Sequence, residues 1–216
     1  MDKYINKIIC DDCLNVTKGM PDKSVDLVLT DPPYGVRKKE DWDNRENFLK
    51  LIDVWLSECF RISKTTIWFC AGKMLPYILK NKENVFHRLL IWNKPEGTQF
   101  AGAMHSNIWY SIEPILVFGE YPKLDKKKKY GYSSFTSPTV PKKLFGHPTT
   151  KPIRLIEDLV YFYSNKGDLV LDQFCGSGTT GVACKNLKRR YILIDKEQRY
   201  CGVSKDRINN TQEPMF

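Results

Sequence analysis

Seven short apolar runs punctuate the chain, at residues 7–10, 25–29, 65–70, 85–92, 112–119, 169–171 and 191–194. They are rich in Val, Ile, Leu and aromatic residues and too short for helices, so they predict strands. Between them lie stretches with helical spacing. Leu51, Ile52, Trp55, Leu56, Cys59 and Phe60 predict a helix over 48–62. Leu155, Ile156, Leu159, Val160 and Tyr163 share one face of a helix over 153–164, with Gly167 near its C-cap. Weaker helical patterns cover 13–20, 74–80, 180–187 and 197–207, with Pro76 suited to a first turn. Strands and helices alternate over most of the length. This predicts an α/β fold, a doubly wound and mostly parallel sheet with helices on both faces. No linker separates two cores, so residues 1–216 are expected to form a single domain.

Two regions break the alternation. Residues 35–47 are polar, carry Arg37, Lys38, Lys39 and Arg45, and read as a loop. Residues 96–146 hold one strand, 112–119, and otherwise lack a hydrophobic period. Their run Lys126, Lys127, Lys128, Lys129 reads either as a solvated loop or, beside Tyr130, Tyr132 and Phe135, as a grip on phosphates. Pro114 argues that the strand at 112–119 lies at an edge or starts with a bulge.

The run at 25–29 ends on Asp31-Pro32-Pro33-Tyr34. Neither proline can donate to a sheet ladder, so the strand stops there and Asp31 and Tyr34 sit on a stiff loop. Ligands gather at that carboxyl edge in open α/β sheets. A carboxylate, free carbonyls and an aromatic face together suit a planar group bearing an NH2. Asp-Pro is also a common turn opener, and the tetrapeptide by itself does not separate the two readings.

The charge sharpens the picture slightly. The chain carries 34 Lys and Arg against 25 Asp and Glu, a formal +9, which suits a polyanion such as nucleic acid. Seven scattered cysteines, a polar start over residues 1–6 and no apolar run near the ~18 residues of a membrane span lead us to expect a reduced, cytoplasmic protein that does not enter a membrane. Cys10 and Cys13 have the spacing of half a zinc site. No second pair accompanies them and only three His exist, so no metal site is expected.

A glycine loop gives the argument its direction. Gly176-x-Gly178-x-x-Gly181 follows the run at 169–171 and opens a helix, and Asp195 closes the next strand. This is the dinucleotide fingerprint, in which glycines admit a ligand to the backbone and the acid takes ribose hydroxyls. Only one strand remains after it, whereas a nicotinamide-binding domain needs several. Strands from the start of the chain must complete the sheet, so the nucleotide fold is circularly permuted. Asp12, after the strand at 7–10, then reaches an adenine amine. Asp172 at the start of the loop repels pyrophosphate but suits an ammonium, although a strand-end cap is the plainer reading. S-adenosylmethionine has the ammonium, a ribose and no phosphate.

Three motifs in order, Asp31-Pro32-Pro33-Tyr34, then His147-Pro148-Thr149-Thr150-Lys151-Pro152, then Phe174-Cys175-Gly176-Ser177-Gly178, resemble those of the β-class DNA amino-methyltransferases. Asp12-Cys13-Leu14, Ile91-Trp92-Asn93-Lys94-Pro95 and Glu113-Pro114-Ile115-Leu116 match as well, while Asp11 stands where the family usually has Gly. The resemblance covers nearly the whole chain. It implies a seven-stranded Rossmann-like sheet with one antiparallel strand. It also implies a target-recognition insertion at about 96–146, short for its kind.

The implied activity is transfer of a methyl group from S-adenosylmethionine to adenine N6 in a base flipped out of double-stranded DNA. Cytosine N4 is the nearest alternative, and a catalytically inactive fold that only binds nucleic acid is another. Asp31 and the Pro32 carbonyl would accept the two N–H bonds of the amine, Tyr34 would stack on the base and Pro33 would shape the wall. Phe174, Gly176, Ser177, Gly178 and Thr179 would underlie the cofactor, with Asp195 on its ribose and Asp172 on its methionine end. Thr150 and Lys151 would approach its carboxylate, as the matching family stretch does, though Lys151 also reads as a residue leading into a helix. A homodimer and a cognate restriction endonuclease are partners that the resemblance leaves open.

Overall fold

The computed structural model of the protein describes residues 1–35, 45–98, 110–122, 131–141, 144–146 and 149–212. The basic residues Arg37, Lys38 and Lys39, the lysine run with Tyr130, and His147 and Pro148 lie outside the described residues, as do 99–109 of the expected recognition insertion.

Its strands are β1 (Lys7–Cys10), β2 (Val25–Thr30), β3 (Ser63–Phe69), β4 (Phe86–Thr98), β5 (Tyr110–Gly119), β6 (Ser134–Thr136), β7 (Leu169–Asp172) and β8 (Arg190–Asp195). Its helices are α1 (Cys13–Thr17), α2 (Arg45–Ile62), α3 (Leu75–Leu79), α4 (Ile153–Tyr163), α5 (Thr179–Asn186) and α6 (Gln198–Asn210). The strands form one sheet in the order β1-β8-β7-β2-β3-β5-β4-β6. Among the described residues only β5 runs against its neighbours, pairing antiparallel with β3 and β4. All seven expected strands are present, and the three-residue β6 adds an eighth beside β4.

The unbroken apolar runs follow from burial on both faces. Along β2, Val28 packs toward one layer with Phe48, Ile52, Trp55 and Leu56 of α2, while Leu27 and Leu29 pack toward the other with Leu155, Ile156, Leu159 and Val160 of α4. Trp68 of β3 and Leu171 of β7 belong to the first layer, Ile67, Phe69 and Val170 to the second. This is the two-residue period of a strand carried through the sheet.

The permutation is visible in the strand order. From β7 the chain steps to β8, and β1 from the amino terminus lies beyond it, its Ile9 opposite Ile194. From β2 it steps the other way, to β3. The neighbours β7 and β2 therefore mark the switch point, and the loops that leave their carboxyl ends are side by side.

Of the two readings of Pro114, the edge is not met, whereas an irregular register does lie near the start of β5, where Ile112 and Tyr110 face Asn93 and Thr98. β5 is interior, but β3 ends its pairing at Phe69 opposite Ile115. The Pro114 carbonyl accepts from Cys70 N at 3.1 Å, so its ring nitrogen faces the same side, just past the end of β3. Likewise β4 continues through Pro95, because its register with β5 shifts between Asn93 and Thr98.

Candidate active site

The glycine loop is shaped by the protein's own packing. Gly176 and Gly178 have φ of 49° and 77°, the left-handed region that favours glycine. A Cβ on Gly178 would lie 2.9 Å from the Ser204 Cα of α6, and one on Gly181 would lie 2.4 Å from Ile208 Cδ1 and 2.6 Å from Leu193 Cδ1. The second and third glycines thus seat α5 against α6 and β8. Ser204 donates to Gly176 O at 2.7 Å, and Arg207 of α6 donates to Ser177 O at 2.6 Å and to Thr179 Oγ1 at 3.1 Å. Arg207 was not foreseen; its guanidinium also lies 3.8 Å from the Phe145 ring centre.

Carboxylates surround this loop. Asp195 Oδ2 accepts from Gly176 N and Oδ1 from Glu197 N, both at 2.9 Å, and burial pushes its carboxyl above the ordinary value. Asp172 is buried and its pKa is pushed up by burial to about 6. Its Oδ1 accepts from Thr30 Oγ1 at 2.9 Å and Phe174 N at 3.1 Å, and its Oδ2 from Thr180 Oγ1 at 2.6 Å. Asp172 therefore ties β7 to β2 and to α5, and a carboxylate with about four lone-pair sites keeps one on Oδ2. Asp12 caps α1, its Oδ1 accepting from Leu14 N at 2.8 Å. Asp11 is engaged locally by Asp12 N and Asn15. Phe174 packs edge-on to Trp55, ring centres 5.0 Å apart. Thr150 meets Ser177, oxygen to oxygen at 3.0 Å. A phosphate would face acids here, whereas a cationic, phosphate-free adenosine ligand matches them.

Across the switch point stands the second loop. Pro32 is buried, and Asp31, Pro33 and Tyr34 are partly buried. Tyr34 donates its hydroxyl hydrogen toward Asp31 Oδ1 and toward Glu113 Oε1, the latter at 2.7 Å. The Lys151 ammonium donates to Asp31 Oδ2, to Glu113 Oε1 at 3.2 Å and to Tyr34 Oη at 3.3 Å. Lys94 of β4 donates to Glu113 Oε2 at 2.6 Å. The carboxyls of Asp31 and Glu113 thus face the ammonium groups of Lys151 and Lys94 around one phenol.

Charge states follow from this enclosure. Burial pushes the Asp31 carboxyl above its ordinary value, Lys151 pulls it back and Glu113 pushes it up again. Burial acts to raise Glu113 too, but Lys151 and Lys94 outweigh it and hold that carboxyl low. Burial would lower Lys151, yet Asp31 and Glu113 hold its ammonium above the ordinary value. Tyr34 is raised by burial and both acids, so its phenol stays protonated.

The sequence assigned Lys151 to the cofactor. In the structure its ammonium faces Asp31, Glu113 and Tyr34. The residue pattern alone did not mark Glu113 and Lys94 as part of the site. Both are charged residues buried within strands, 5% and 3% exposed, and Glu113 is the one charged residue of β5. Of the Cys10 and Cys13 pair, Cys13 is buried, and burial pushes its thiol up to about 12.

A permuted sheet with a glycine loop and a carboxylate-proline loop at its switch point defines a Rossmann-like methyltransferase class. The DNA methylase family model of the N6/N4 type matches residues 25–206, and the chain belongs to that family. Type II methyltransferase M.HpaI of Haemophilus parainfluenzae is 30% identical over 240 residues, covering 94% of this chain and 74% of that protein. M.HinfI of Haemophilus influenzae is 29% identical over 249 residues, covering 96% and 69%. The crystal structure of the M1.HpyAVI-SAM complex superposes with a TM-score of 0.70 at 27% identity, covering 94% of this chain and 98% of that one. The PvuII DNA methyltransferase, described as cytosine-N4-specific, shares the fold with a TM-score of 0.75 at 19% identity, covering 96% and 88%.

Proposed function

We propose that the protein methylates the exocyclic N6 amine of adenine in double-stranded DNA, with S-adenosylmethionine as the donor. One observation carries the reading. The Asp31 loop and the glycine loop leave neighbouring strands and are tied together where Thr30 donates to Asp172 at 2.9 Å. An amine acceptor and a nucleoside-cofactor loop then share one cleft. The aspartate at the head of the Pro-Pro-Tyr sequence favours adenine over cytosine.

S-adenosylmethionine supplies an electrophilic sulfonium methyl when bound. Phe174, Gly176, Ser177, Gly178, Thr179, Asp195, Asp12 and Thr150 would hold it, with the remaining Asp172 lone pair toward its ammonium. The chain's own residues do the rest. Asp31 and the Pro32 carbonyl accept the two N–H bonds of the adenine amine, which turns its lone pair out of the ring plane. Tyr34 stacks on the flipped base, a contact worth about 1–3 kcal/mol, and Pro33 shapes the wall. Asp31 or water takes the released proton. Residues 1–216 act as one domain, with about 96–146 contacting DNA as the target-recognition segment. A second copy and a cognate nuclease complete the proposed set of partners, and the setting is cytoplasmic. Among the described residues no helix is long and apolar enough to cross a membrane.

The test is direct. Incubation with methyl-labelled S-adenosylmethionine and DNA of varied sequence, followed by digestion to nucleosides, should yield labelled N6-methyladenine. Label in N4-methylcytosine would move the reading to cytosine. No transfer under conditions where the protein binds both ligands would end it.

A further inference from the structure

The site contains a carboxylate that the proposed transfer does not use. Glu113 lies on β5, outside both loops, and is 5% exposed. Its Oε2 takes Lys94, and its Oε1 faces both Tyr34 Oη and the Lys151 ammonium. Such a buried acid is retained at a desolvation cost, so its partners should explain it.

A count of hydrogens assigns those partners. Lys151 has three N–H bonds and three acceptors, Asp31 Oδ2, Glu113 Oε1 and Tyr34 Oη. Tyr34 has one hydroxyl hydrogen between Asp31 Oδ1 and Glu113 Oε1. Without Glu113 both donors would turn fully onto Asp31 and occupy the lone pairs that a substrate amine needs. With Glu113 they are divided between two acids. Lys94 in turn pins Glu113, its ammonium 4.5 Å from the Trp92 ring centre. Lys151 is steered from its other side by the rings of Phe69 and Trp92, at 5.0 and 5.9 Å.

We propose that Glu113 is a positioning residue for methyl transfer, which holds Tyr34 and Lys151 between itself and Asp31 so that Asp31 keeps acceptor capacity for the target amine. The inference rests on the function proposed above and deepens it. Glu113 touches neither substrate nor cofactor and acts through Asp31. The titratable groups around Asp31 are Lys151, Glu113 and Tyr34, with Asp172 at the end of β7 and Cys70 just past β3.

The test compares the unaltered protein with Glu113→Leu and with the double variant Glu113→Leu/Lys94→Met. Leucine is close in size and removes both acceptor oxygens together with the charge. The double variant removes the Lys94 charge as well, so a folding defect of the single variant does not decide the result. Turnover is measured against pH at saturating DNA, alongside S-adenosylmethionine affinity. Both variants should bind the cofactor as the unaltered protein does and lose about tenfold or more in kcat. Because the Glu113 charge pushes the Asp31 carboxyl up, the acid limb of kcat should move to lower pH in both. Unchanged kcat, or a lowered kcat with an unmoved acid limb, would overturn the positioning role while leaving the function intact. Absence of transfer by the unaltered protein would overturn the function, and this inference with it.

Discussion

The ammonium of Lys151 donates a hydrogen bond to Oδ2 of Asp31, joining residues 120 positions apart. Pro152 is the N-cap residue of α4, so Lys151 lies immediately before that helix and reaches the loop that follows β2. The pair links the two motifs most distant in chemistry, a basic stretch and an acidic one, inside a single buried group of charges.

Replacing Lys151 with Met should therefore destabilise the protein rather than weaken its cofactor binding. Two buried carboxylates would lose a shared cation, at about 3–5 kcal/mol. Denaturant unfolding should show that loss, while S-adenosylmethionine affinity should change by less than about threefold. A large loss of cofactor affinity with unchanged stability would return Lys151 to the cofactor carboxylate.

Asp172 makes a prediction about pH. Its carboxyl is pushed from 3.8 up to about 6 in the folded protein. A raised acid contributes stability that is fully present below its unfolded pKa and is lost as pH rises through the folded value. This group should thus contribute roughly 2–3 kcal/mol to stability below pH ~4, fading by pH ~6. Asp172→Asn should flatten that part of the stability profile, measured by unfolding at pH 4 and 7. An ammonium ligand prefers the ionised form, so cofactor affinity of the unaltered protein should fall as pH drops through about 6.

Gly178→Ala tests the packing reason for the glycine loop. The new methyl would meet Ser204 backbone at 2.9 Å on a residue with φ of 77°. Overpacking and the left-handed backbone together should cost about 3 kcal/mol or more, read as a lowered unfolding midpoint.

Most of the fold was legible because its strands are buried on both faces and its helices carry clean apolar stripes. The seven apolar runs all became strands, and the permutation followed from counting what remained after the glycine loop. β6 was not legible, since Ser134, Phe135 and Thr136 form too short a run, fixed only by pairing with Ile91, Trp92 and Asn93. At the site, Asp31 and Tyr34 were marked by the prolines between them. Glu113 and Lys94 were hidden because they become partners only when β4 and β5 pair, with Asn93 opposite Ile112. The partners of Lys151 were hidden for the same reason. Its acids are distant in sequence, and only tertiary structure brings them to it.

The central claim is that Asp31 accepts the target amine. Single-turnover methyl transfer by Asp31→Ala, with cofactor binding measured on the same sample, tests it most directly. Cofactor affinity should persist while the rate falls by about 10²–10³-fold. Transfer near the unaltered rate would contradict the account.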